Sequence, residues 1–127
     1  MTTARDPAPL RVLIIEDVFL IALDLETALR HLGFEMIERA ATVAQAVDAA
    51  AWWEPHLLTV DLNLPDGSGL DAARTIQARD GGIVAVYITG NPELLATEPE
   101  AIVLAKPFGD IELRGAVERA LTAVAAI

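Results

Sequence analysis

The chain reads as an α/β domain on a single doubly wound, five-stranded parallel sheet, in a (βα)5 arrangement. Three observations predict it. Short β-branched runs alternate with helical patterns from Leu10 onward, the strand runs are near-continuously apolar, and four of the five stop on a polar residue. Continuous apolar strands separated by helices imply a parallel sheet covered on both faces. A length of 127 residues suits one domain. Residues 1–9, with two prolines and no apolar run, are expected to be a short flexible lead-in, and residues 10–127 the folded domain.

Arg11–Ile15 is the first strand and stops at Glu16-Asp17. The helix that follows carries Ile21, Leu25, Ala28, Leu29 and Leu32 at helical spacing and ends at Gly33. Phe34–Ala40 is a weaker second strand. Thr42 and Gln45 form a capping box, each expected to satisfy an orphan amide of the other's neighbourhood, and open a helix with Val43, Ala46, Val47 and Ala50 inward. It ends in Trp52-Trp53, one ring expected on the core and the other partly wet.

Leu57–Val60 is the third strand, ending at Asp61, and Pro65–Gly69 is dense turn chemistry. A helix runs from about Leu70 to Arg79 and is ended by Gly81-Gly82. Ile83–Ile88 is the fourth strand, ending at Thr89-Gly90. Residues 91–99 contain two prolines, so the fourth helix is expected to be short or mobile. Ala101–Ala105 is the fifth strand, ending at Lys106-Pro107. A last helix from about Asp110 turns Leu113, Val117, Ala120, Leu121 and Val124 inward.

Composition removes several classes of function. With no cysteine, disulfides, thiolate metal sites and cysteine nucleophiles are excluded, and two histidines are too few for a histidine metal cluster. Nine Lys+Arg against nineteen Asp+Glu give a net charge of −10, which repels phosphate backbones and anionic lipid. No nucleic-acid or membrane partner is expected. No apolar stretch approaches the ~20 residues of a membrane helix, the N-terminus lacks a signal-peptide core, and a cytoplasmic location is expected.

In a parallel sheet the strand-end residues Glu16, Asp17, Asp61, Thr89 and Lys106 converge on one rim, where doubly wound sheets bind their ligands. Three carboxylates together repel, and a hard divalent cation with oxygen ligands, Mg²⁺, reconciles them. A lysine and a hydroxyl add donors for an anion. The set describes a phosphoryl-transfer site. Asp61, alone at its strand end, is the better nucleophile for an acyl phosphate, and Glu16 and Asp17 the better metal ligands.

The segments VLIIED at 12–17, LLTVDLNLPDGSGLD at 57–71, YITG at 87–90 and AKPF at 105–108 together resemble the receiver domain of two-component response regulators. The resemblance covers about residues 10–124 and implies a flavodoxin-like fold with strand order 2-1-3-4-5. It also implies that Asp61 accepts a phosphoryl group from a histidine kinase or a histidine phosphotransfer protein. By the same resemblance Asp17 binds Mg²⁺ directly, Glu16 acts mostly through water, and the Asn63 carbonyl completes the shell with Asp61. Thr89 and Lys106 would contact the phosphoryl group, and the Lys106–Pro107 bond is typically cis in the family.

Departures concern the readout. Val103 stands where receivers commonly carry an aromatic, and the Thr89–Lys106 stretch is short. With Tyr87 in YITGNP, this is similar to stand-alone alphaproteobacterial receivers with a Phe-Ala-Thr-Gly-Tyr-like motif, although Asn91 replaces their second aromatic. Tyr87 and Val103 are therefore the candidate readout positions. Phe19, Leu20 and Leu23 lie off the inward stripe of the first helix and are the candidate docking face for the kinase or phosphotransfer partner. A homodimer is a further candidate assembly. The expected function is a stand-alone phosphoacceptor switch or shuttle without an output domain, not an enzyme. The alternative is a small Mg²⁺-dependent phosphatase with an Asp nucleophile. Such enzymes place that nucleophile on the first strand with an acid two residues on, where this chain has Asn63 after Asp61.

Overall fold

The computed structural model describes residues 6–125. Five strands form one sheet: β1 (Arg11–Ile15), β2 (Met36–Ala40), β3 (Leu57–Asp61), β4 (Val84–Thr89) and β5 (Ile102–Ala105). Between and after them run α1 (Phe19–His31), α2 (Val43–Trp53), α3 (Gly69–Arg79) and α4 (Asp110–Ala125). The order is β2-β1-β3-β4-β5 with every pairing parallel, as expected from the near-continuous apolar runs. The connection from β4 to β5 holds only a 3-10 turn, Pro92–Leu95, the short fourth helix that the prolines predict. The expected lead-in lies partly outside the described residues. Its described part closes a turn in which the Leu10 amide donates to the Pro7 carbonyl at 3.1 Å.

Side chains alternate between two cores. Val12, Ile14, Leu57, Val86, Ile88 and Leu104 face α1 and α4, meeting Leu25, Leu29, Leu113, Val117 and Leu121. Leu13, Ile15, Leu58, Val60, Ala85 and Tyr87 face α2 and α3, meeting Ala46, Ala49, Ala73 and Ile76. Burial on both faces is why these strands need no polar alternation.

Local chemistry corrects two expectations. The stripe of α1 is Ala22, Leu25 and Leu29, while Ile21 is 40% exposed. The helix is apolar on several sides, with Phe19, Leu20, Ile21 and Leu23 exposed and Ala22 buried. The capping box is shifted: Thr42 Oγ1 accepts from the Gln45 amide at 3.0 Å, but Gln45 Oε1 accepts from Ala41, not Thr42, at 2.9 Å. His56 Nδ1 accepts the Arg11 amide at 3.0 Å, tying the start of β3 to β1. As expected, Trp53 sits on the core with its indole donating to the Val12 carbonyl at 3.0 Å, while Trp52 is exposed. At Gly33, φ is 104°, a conformation that costs glycine little, and the Phe34 amide reaches back to the Leu29 carbonyl at 3.1 Å to close α1.

The turn after β3 folds into a small hairpin, Asn63–Leu64 against Gly67–Ser68, and its tip reaches α2. There the Asp66 carboxylate accepts the Val43 amide at 2.7 Å and the Ala44 amide at 3.1 Å. These bonds to the charged form hold the Asp66 carboxyl below its ordinary 3.8. A depressed carboxyl pKa stabilises the fold above the unfolded value and stops doing so as pH falls through the folded value. Asp66→Asn should therefore lower stability near neutrality, and the gap between the two proteins in urea midpoint should close as the pH falls below 3.8.

Thr59, mid-strand in β3 and 2% exposed, carries the only buried side-chain polar atom among the described residues without a hydrogen-bond partner. Valine has the same shape and no hydroxyl to desolvate. Thr59→Val should raise stability by about 1 kcal/mol, read as a higher urea midpoint at unchanged slope.

Candidate functional site

The parallel register decides which strand ends meet. Ile15 is opposite Val60, so Glu16 and Asp17 follow β1 beside the end of β3, where Asp61 is the last residue. Asp61 in turn is opposite Ile88, and Thr89 is opposite Ala105, which places Lys106 one step past the last rung. The Lys106 amide continues that ladder by donating to the Thr89 carbonyl at 2.8 Å, and the Lys106–Pro107 bond is cis. The chain order reverses between β1 and β3, so the cluster occupies the crevice characteristic of doubly wound sheets.

Glu16, Asp17 and Asp61 each offer a carboxylate oxygen, and the three lie within 4.8 Å of one another. Lys106 Nζ stands 3.5 Å from Glu16 Oε1 and 3.6 Å from Asp61 Oδ2. It is the only lysine in the sequence. Asp61 Oδ1 accepts the Asn63 amide at 3.1 Å, which folds the chain tightly after the strand. Gly69 closes that fold from the other side. Its amide donates to the Leu62 carbonyl at 2.9 Å, and a Cβ there would overlap the Asp61 carbonyl oxygen, so only glycine lets α3 start this close.

Burial separates the acids. Asp17 is exposed, whereas Glu16 is 6% exposed with Oε2 accepting the Val18 amide at 3.2 Å. Desolvation pushes the Glu16 carboxyl up to about 7 from an ordinary 4.5. Hydrogen bonding and repulsion from Asp61 add to the rise, while the Val18 amide and the Lys106 ammonium oppose it. The sequence reading separates Glu16 from Asp17 by resemblance; the structure separates them by solvent exposure.

An all-oxygen donor set suits Mg²⁺, whose ligands stand at about 2.0–2.1 Å and so span at most ~4.2 Å across the ion. The three carboxylate oxygens, all within 4.8 Å of one another, stand on the scale of that span. The residues therefore fit the cation that the sequence implies.

The remaining site residues surround this cluster. Thr89 is buried, and its Oγ1 accepts the Asn91 amide at 2.9 Å, leaving its own O–H free to donate. Tyr87 and Val103 are register partners on the α2/α3 face, packed with Leu95 of the 3-10 turn. Burial raises the Tyr87 phenol above its ordinary range. Phe19, Leu20 and Leu23 are exposed, at 63%, 68% and 39%. The Phe19 ring lies 5.1 Å beneath the Arg39 guanidinium, which also pairs with Glu26 at 3.3 Å. These two residues and Asp17 line an open groove of about 440 Å³ beside the acids. Sequence reasoning finds every residue of the acidic cluster. It misses the Asp66 clamp and the Arg39 contact, both of which join segments distant in sequence and leave no local periodic signal.

Comparison with known proteins agrees with this geometry. PdtaR of Mycobacterium tuberculosis, a transcriptional regulatory protein, is 36% identical over 126 residues, covering 95% of this chain and 62% of its own length. The crystal structure of the response regulator PhyR from Brucella abortus superposes with a TM-score of 0.82 at 35% identity, covering 92% of this chain and 49% of that one. The chain thus spans about three-fifths and one-half of these relatives. The receiver domain of the sensor histidine kinase PA1611 from Pseudomonas aeruginosa PAO1, solved with a magnesium ion coordinated in its active site cleft, gives a TM-score of 0.74 at 28% identity. It covers 88% of this chain and 97% of that one. A family profile described as the response regulator receiver domain matches residues 12–118, and with these likenesses it shows that the chain belongs to that family.

Proposed function

We propose that this receiver domain is a phosphoacceptor. Asp61 takes a phosphoryl group from a histidine kinase or histidine phosphotransfer protein, with Mg²⁺ held by Glu16, Asp17, Asp61 and the Asn63 carbonyl. The observation that carries this reading is the convergence of three carboxylates and the sole lysine on one strand-end crevice. Structural acids capping helices would not gather within 4.8 Å of one another around an ammonium.

In the transfer, Asp61 Oδ2, the oxygen beside Lys106, forms a bond to phosphorus as the bond from phosphorus to the partner's imidazole nitrogen breaks. The electron pair of that bond stays on the nitrogen, so the products are an acyl phosphate on Asp61 and a free histidine. Bound Mg²⁺ supplies charge neutralisation for the carboxylates and the phosphoryl oxygens. Lys106 then exchanges its contact with Asp61 for one with a phosphoryl oxygen, and Thr89 donates its hydroxyl hydrogen to another. Movement at Thr89 is felt two residues back by Tyr87 and, across the rung, by Val103, so the output lies around β4, β5 and α4. Phe19, Leu20 and Leu23 dock the partner, bordering the crevice at Asp17.

Incubation with phosphoramidate and Mg²⁺ should give a labile acyl phosphate that vanishes in Asp61→Asn and on chelation by EDTA. Labelling that survives Asp61→Asn refutes the assignment, and multiple-turnover hydrolysis of phosphate esters would favour a phosphatase. Substituting Leu20 and Leu23 with Glu should slow transfer from a phosphorylated partner roughly tenfold, the scale of losing an apolar anchor, and leave phosphoramidate labelling unchanged. Equal losses in both assays would remove the docking role.

A further inference from the structure

We infer that Asp66 is a positioning residue for the metal site and couples it to the start of α2; the inference rests on the reading above that the Asn63 carbonyl is a Mg²⁺ ligand. Residue 63 sits at the base of a two-rung hairpin, paired with Ser68, and Asp66 sits at its tip. Both oxygens of the Asp66 carboxylate are committed to another element, one to the Val43 amide at 2.7 Å and one to the Ala44 amide at 3.1 Å. The hairpin is also tied at its root, where the Gly69 amide meets the Leu62 carbonyl and the Asn63 amide meets Asp61 Oδ1. A carbonyl at position 63 is therefore held between two anchors, the nucleophile's own side chain and the first turn of α2.

The clamp completes the cap of α2 from a distant segment, taking the first two helix amides. Thr42 already supplies the N-cap, bonding the Gln45 amide, and Gln45 covers the Ala41 amide. The Asp66 clamp adds a carboxylate at the positive end of the helix dipole, from a residue 22–23 positions away. Its second effect is to limit where the hairpin, and with it the carbonyl of residue 63, can move. Outer-shell groups that orient metal ligands typically matter by 10–100-fold in affinity. Binding linkage then requires reciprocity: whatever factor the clamp adds to Mg²⁺ affinity, Mg²⁺ must add to the closed state of the clamp.

The test uses the full chain and Mg²⁺ alone. Amide NMR titration should give an affinity about tenfold lower in Asp66→Ala than in the wild type, with a smaller loss in Asp66→Asn, which keeps one accepting oxygen. In the wild type, saturating Mg²⁺ should slow hydrogen exchange at the Val43 and Ala44 amides by the same factor, an effect a purely structural cap would not show. If Asp66→Ala does not fold, the Asp66→Asn affinity and the wild-type exchange decide the matter. Equal Mg²⁺ affinity in the variants, or wild-type exchange at these amides indifferent to Mg²⁺, overturns the coupling and leaves the phosphoacceptor reading intact. A wild-type chain that takes up no Mg²⁺ overturns both.

Discussion

Like charges at the end of parallel strands repel, and this molecule places three of them within 4.8 Å by backbone register alone. Glu16 follows the Ile15–Val60 rung, Asp61 closes β3, and the ladder between these two buried central strands leaves neither free to slip. The repulsion is met in part by Lys106 and in part by the buried Glu16 carboxyl, whose pKa is pushed up to about 7. What remains is an electrostatic deficit at a crevice open to solvent through Asp17. A divalent cation would relieve it, and under the proposed phosphoacceptor role a transferred phosphoryl group would find its countercharges already in place.

That register is expensive to disturb because the sheet is packed on both faces. A slip of one residue on any strand would exchange the two cores, sending Leu13 and Ile15 toward α1 and Val12 and Ile14 toward α2. The site thus inherits its geometry from residues that never touch it. The hairpin after Asp61 is different. Leu64 roots it in the α2/α3 core, while its tip and its exposed rim are held by polar contacts and one glycine.

The sheet was legible in the sequence because apolar runs, four of the five followed by a polar terminus, alternate with helical patterns in chain order. The acidic cluster was legible for the same reason, since every member is a strand-end residue. The phase of α1 was not, because Phe19, Leu20, Ile21 and Leu23 make the helix apolar on several sides, so spacing alone cannot separate Ile21 from Ala22. Asp66 reads locally as a turn former, and its amide partners lie 22–23 residues upstream. Thr59 reads as a good strand residue; that its hydroxyl finds no partner is a property of the packed interior alone.

With Lys106 as the only lysine in the sequence, its ammonium against Glu16 and Asp61, the molecule carries its own spectroscopic handle. Reductive methylation with carbon-13 formaldehyde can reach only this amine and the amino terminus. It keeps the positive charge while installing a methyl resonance beside Asp61. Cation uptake, acyl phosphate formation and its decay could then be followed in real time on a single peak.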